Sequence, residues 1–103
     1  MRPRPTAFGW IEPEISTAWE WDRAQIHRLS RRLGYALIWA PIDSALPLVD
    51  QVRAADVDVV IIPAPNHLDT ATLHAFMCIV SVETATPRMS FAPWAHIPSG
   101  LLG

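Results

Sequence analysis

Ser16, Asp43 and His67 are residue types that together could make a nucleophilic site. A serine attacks when a base touches its hydroxyl and a carboxylate orients that base. No Gly-x-Ser-x-Gly elbow surrounds Ser16, and each residue has an ordinary use: Ser16 or Thr17 as a helix cap, Asp43 in a turn, His67 on a surface loop. Glu12 and Glu14 are paired carboxylates at i and i+2. On an extended segment they share a face and could raise one another's pKa. Glycosidase chemistry needs such a pair across a sugar-sized cleft, which nothing in the sequence indicates; a solvated strand end is the simpler reading. His67, His74 and Cys78 are metal-ligand types, but a closed zinc site needs four ligands, usually in tight pairs. With Leu73, Phe76 and Met77 beside them they read as core and rim, so no metal is expected. The four glycines are scattered, so no phosphate-cradling nucleotide loop can form and no cofactor is expected.

Two further groups bear on binding. Arg28, Arg31 and Arg32 stand at i, i+3 and i+4, one helix face that could hold a phosphate or an acidic partner; the plainer reading is a solvated face. Of the five tryptophans, Trp10 and Trp39 fall in apolar strand-like runs and read as core. Trp19 and Trp21 point about 200° apart on a helix, so one site cannot bury both. Exposed tryptophans are common interface anchors, which makes Trp21 and the tail residue Trp94 the best candidates for contact with a protein partner or a second copy.

These residues must be positioned by regular elements. Ala7–Ile11 reads as a first strand, stopped by Pro13, which cannot donate to a sheet ladder. A helix follows, with Thr17 and Glu20 as a capping box. Its core stripe is Trp19, Ile26, Leu29 and Leu33, and Gly34 is its left-handed terminator. Residues 35–40 give a second strand. Ser44 then caps a second helix with Pro47 in its first turn, its apolar face drawn from Ala45, Leu48, Val49, Val52 and Ala55. The unalternating β-branched run Val57–Ile62 is what a parallel strand covered on both faces requires. Asp69 or Thr70 caps a third helix that buries Leu73, Phe76, Met77 and Val80, and Ser81–Thr84 is a short fourth strand.

The order βαβαβαβ predicts a single small α/β domain: a mainly parallel sheet of about four strands, helices on both faces and right-handed crossovers. Residues 1–6 are read as a flexible lead-in, 7–87 as the domain and 88–103 as an irregular tail containing proline and tryptophan. Sites in such sheets lie beyond the carboxyl ends of the strands, which selects Glu12–Thr17, Pro41–Ser44 and Pro63–Thr70.

Composition sets the limits. The chain has 103 residues, one domain's length, and half of it is hydrophobic, which excludes a disordered chain. One cysteine excludes a disulfide scaffold. No apolar run approaches the roughly 20 residues a membrane span needs, and no signal peptide is read, so a soluble cytoplasmic protein is expected. A net charge of −2 argues against a dedicated nucleic-acid binder, whose domain is usually basic. All eight cations are arginine, whose rigid fork suits carboxylates and phosphates.

The helix ending Arg-Arg-Leu-Gly-Tyr, the strand Val57–Ile62, the loop containing His67-Leu68 and the stretch 80–87 together resemble the N-terminal catalytic domain of serine recombinases, the resolvase/invertase family, over about residues 7–87. That resemblance implies a serine nucleophile after the first strand, approximately at Ser16, attacking a DNA phosphodiester with arginines neutralising the phosphate. Where the family's first arginine is expected, this chain has Glu14, or Glu12 with a two-residue insertion. Where the family has Asp-Arg-Leu-Gly-Arg after the third strand, this chain has Asn66-His67-Leu68-Asp69-Thr70. Phosphoryl transfer rests on positioning and charge stabilisation, and one such arginine is worth roughly 10³-fold or more in rate. The family's dimerisation helix and DNA-binding helix-turn-helix do not appear in these 103 residues. The expectation is a degenerate, catalytically inactive resolvase-like domain serving as an interaction or regulatory module. The alternative is a divergent DNA-processing domain that uses Ser16. A small hydrolase using Ser16 and His67 is a third, weaker reading.

Overall fold

The structure, a computed structural model, describes residues 4–41 and 44–93. The expectations at Asp43 and Trp94, and those for the rest of the tail, lie outside the described residues. The elements are β1 (Thr6–Gly9), α1 (Trp19–Leu33), β2 (Ala36–Trp39), α2 (Leu48–Ala55), β3 (Val59–Ile62), a single 3-10 turn (Pro65–His67), α3 (Thr70–Met77), β4 (Ser81–Thr84) and β5 (Met89–Phe91). They form one five-stranded sheet in the order β2-β1-β3-β4-β5. The first four strands are parallel, and β5 runs antiparallel to β4, with Val82 opposite Phe91. The α/β architecture is the expected one. It gains a fifth strand where an irregular tail was expected, because residues 89–91 pair with the open edge of β4. Thr6, read as lead-in, belongs to β1.

Strand alternation divides the core into two layers. Phe8, Val60, Ile62 and Val82 face one side and pack with Val52, Phe76 and Val80 from the α2 and α3 region. Ala7, Val59 and Ile61 face the other and pack against Ile26 and Leu29 of α1. All four residues of β3 are buried, as a central strand covered on both faces must be. Gly34 ends α1 at φ 83°, a conformation glycine adopts without penalty. Asp69 caps α3, its carboxylate accepting the Thr72 N–H at 2.7 Å.

Other local expectations are corrected. Helix α1 starts after Ala18 with no side-chain cap, so the Thr17–Glu20 capping box is absent. Glu12 O instead accepts the N–H groups of Ile15 and Ser16, and the Ser16 hydroxyl is used elsewhere. Pro47, not Ser44, is the residue before α2; Ser44 Oγ accepts the Leu46 N–H within the preceding loop. Trp19 and Leu33 were expected in the core, yet both are exposed. The reason is length. Helix α1 has 15 residues and runs about 22 Å, whereas a four-residue strand covers about 13 Å. The helix is longer than the strands it covers, and its buried residues are Ile26, Leu29 and Ser30.

Candidate functional site

In the order β2-β1-β3 the chain leaves β1 toward one edge and later returns to β3 on its other side. The loops after β1 and β3 therefore splay apart at a topological switch point, where ligands of such sheets bind. These loops carry Glu12–Thr17 and Pro63–Asp69. Between them lies an open cavity of about 280 Å³ lined by Glu12, Glu14, Asn66, His67, Asp69 and Thr72 among others.

Ser16 and His67 both reach this region, joined by a residue that the sequence reading missed. The Ser16 hydroxyl donates to Asp22 Oδ2 at 2.6 Å, and His67 Nε2 stands 4.0 Å from the same oxygen. The Glu12 backbone N–H donates to His67 Nδ1 at 3.0 Å. An imidazole nitrogen that accepts carries no proton, so the neutral ring holds its proton on Nε2, toward Asp22. The His67 ring is buried, and burial holds its pKa below the usual histidine value, against a weaker opposing pull from the Asp22 carboxylate. The neutral ring thus staples the first loop to the second. It is not a base for Ser16: Nδ1 is occupied by the Glu12 amide and Nε2 faces the carboxylate. The order is Ser–Asp–His, which orients a hydroxyl without supplying an imidazole to deprotonate it.

Asp22 had a legible signal. It precedes Ile26 by four residues and Leu29 by seven, so it lies on the buried stripe of α1, and its side chain is only 16% exposed. A carboxylate at that phase needs partners, and the two loops provide them.

Charge decides what the cavity can hold. Glu12, Glu14 and Asp69 line it, Asp22 lies behind, and no arginine is among its lining residues. The Thr72 N–H holds the Asp69 carboxyl below its usual pKa, keeping it ionised. Such a wall repels phosphate and leaves a pentavalent phosphorus without compensation.

The remaining candidates separate. Arg28 and Arg32 line a shallow cleft with Arg88, whose guanidinium is already 2.6 Å from the Glu83 carboxylate. Arg31 lines a different cleft with Arg4, His27 and Tyr35, so the three helix arginines do not converge. Trp21 is 59% exposed, the most exposed of the large apolar side chains described. Trp10 and Trp39, expected in the core, are half-buried and line a separate cavity with Trp19. His74 and Cys78 are both exposed. Among the described residues no group of three or more His, Cys, Asp and Glu is placed to hold a metal ion, and no helix is long and apolar enough to cross a membrane.

No protein-family model, curated protein or solved structure matches this chain.

Proposed function

We propose that this chain is a resolvase-like scaffold without phosphoryl-transfer activity, serving as a protein-interaction or regulatory module in the cytoplasm. One observation carries the reading: the Ser16 hydroxyl donates to Asp22 beside a cavity walled by Glu12, Glu14 and Asp69, with no guanidinium on its lining. A serine that attacks a phosphodiester needs surrounding positive charge to neutralise the phosphate and its transition state, and this wall carries the opposite sign. Interaction is supported by exposed apolar side chains at the start of α1 and on the loop before it. Ile15 is 41% and Trp21 is 59% exposed, and aromatic residues of this kind anchor protein interfaces.

The test has two parts. The purified protein, incubated with a randomised duplex DNA pool and separately with a fluorophosphonate, should gain no covalent mass at Ser16. In cells, a photo-crosslinking amino acid at the exposed position 20, beside an intact Trp21, should trap one discrete protein, a partner or a second copy. A Ser16–DNA adduct would overturn the reading in favour of recombinase-type chemistry. A Ser16–phosphonate adduct would overturn it in favour of a hydrolase. No cross-linked species would remove the interaction role.

A further inference from the structure

A second cavity is larger than the one lined by His67. It has about 460 Å³ and lies at the carboxyl ends of β1 and β2, walled by Trp10, Trp19 and Trp39, with Pro13, Pro41 and Arg23 completing it. Its volume falls in the range of small-molecule sites, which are mostly apolar with a few placed polar groups. Arg23 is its only charged lining residue.

The Trp39 wall is held in place. An ideal Cβ on Gly9 would come within 2.7 Å of the Trp39 ring, so only glycine at this position lets the indole lie against β1. The Arg23 guanidinium sits 4.8 Å from the centroid of the same ring, and the His27 ring packs beside it at 5.6 Å. Among the described residues no carboxylate pairs with Arg23. Stacking on an indole orients a guanidinium while leaving its N–H edge free to donate.

We infer that this cavity binds a planar aromatic monoanion, a flat bicyclic ring carrying one carboxylate. The ring takes the place of water against the indoles, and the carboxylate pairs with Arg23. Single charge is favoured over double because the loop that supplies Ile11 and Pro13 to this cavity presents Glu12 and Glu14 to the next one. A dianionic phosphate would meet that field. The inference concerns a different cavity from the one at Ser16, so it stands or falls apart from the non-catalytic reading.

Isothermal titration with 1-naphthoate, 1-naphthalenemethanol and 1-naphthyl phosphate tests it on the full chain. Naphthoate should saturate one site. The neutral alcohol should bind about tenfold or more weakly, as expected for loss of a charge-assisted pair. Arg23→Met should reduce naphthoate to the level of the alcohol, and Trp19→Ala, at a position already half exposed, should weaken both ring ligands without unfolding the protein. Absence of saturation by naphthoate up to about 1 mM, the weak limit of useful affinity, would overturn the inference. So would equal binding of acid and alcohol, or indifference to Arg23→Met. Tighter binding of the phosphate would overturn the monoanion class in favour of a phosphorylated aromatic.

Discussion

Replacing Gly9 by alanine gives a perturbation whose sign the structure sets. Glycine in a strand is normally a weakness, and where its backbone suits other residues alanine stabilises by about 0.4–1 kcal/mol through the unfolded chain. The only described glycine with positive φ is Gly34, not Gly9, so backbone geometry alone predicts a gain. Packing predicts a loss. The new methyl would lie 2.7 Å from Trp39 Cζ3 and 2.8 Å from Cε3, about 1 Å inside ordinary carbon contact. The indole cannot swing aside without leaving Arg23 and His27. Overpacking of this kind costs about 1–3 kcal/mol, which outweighs the chain-entropy gain. The expected result is a net loss near 1–2 kcal/mol and a Tm lower by about 5–15 °C for a domain of this size. Thermal and urea unfolding of Gly9→Ala, Trp39→Leu and the double variant would measure it. In the Trp39→Leu background the alanine should cost little or stabilise, giving a coupling of about 1 kcal/mol or more. A Gly9→Ala protein as stable as the parent would refute the placement of Trp39, and with it the built wall of the aromatic cavity.

Other outcomes follow from single contacts. Phe76 is fully buried between α3 and the sheet, and Phe76→Ala should cost about 3–5 kcal/mol by urea denaturation. Ser16→Ala removes a hydroxyl–carboxylate hydrogen bond at a partly exposed site and should cost about 1 kcal/mol, visible as a lower midpoint with unchanged m-value. His67 sets a pH dependence. Burial lowers its folded pKa below the unfolded value, so the unfolded chain binds the proton first; stability is full above about pH 6.5 and falls as pH drops through the folded pKa. His67→Asn, which keeps an acceptor for the Glu12 amide, should flatten that slope in denaturation measured from pH 7 to 5. Trp21→Ala should leave stability within about 0.5 kcal/mol while abolishing partner capture.

The sequence carried the sheet best where burial is two-sided. Val59–Ile62 is an uninterrupted β-branched run because both faces are covered, and only a central parallel strand asks for that. Asp69 was legible as a cap because its partner is three residues away. Strand β5 was not, since three residues between prolines, two of them exposed, carry no periodicity and form a strand only because β4 offers an edge. At the site, Ser16 and His67 were visible as types in the right loops. Their connection was not, because it passes through Asp22, 45 positions before His67, and depends on two loops meeting across the switch point. The stripe of α1 was read too wide for a related reason: helical spacing marks Trp19 and Leu33 as buried, but spacing does not reveal that the strands beneath are only four residues long.

The account turns on the electrostatic character of the cavity between the loops after β1 and β3. Titrating inorganic phosphate into isotopically labelled protein while following the amide signals of residues 15–17 and 67–70 tests it most directly. A wall of Glu12, Glu14 and Asp69 with no lining guanidinium predicts no saturable shift at those amides. A saturable phosphate response centred on Ser16 and His67 would contradict it and show that the cavity accepts a phosphate.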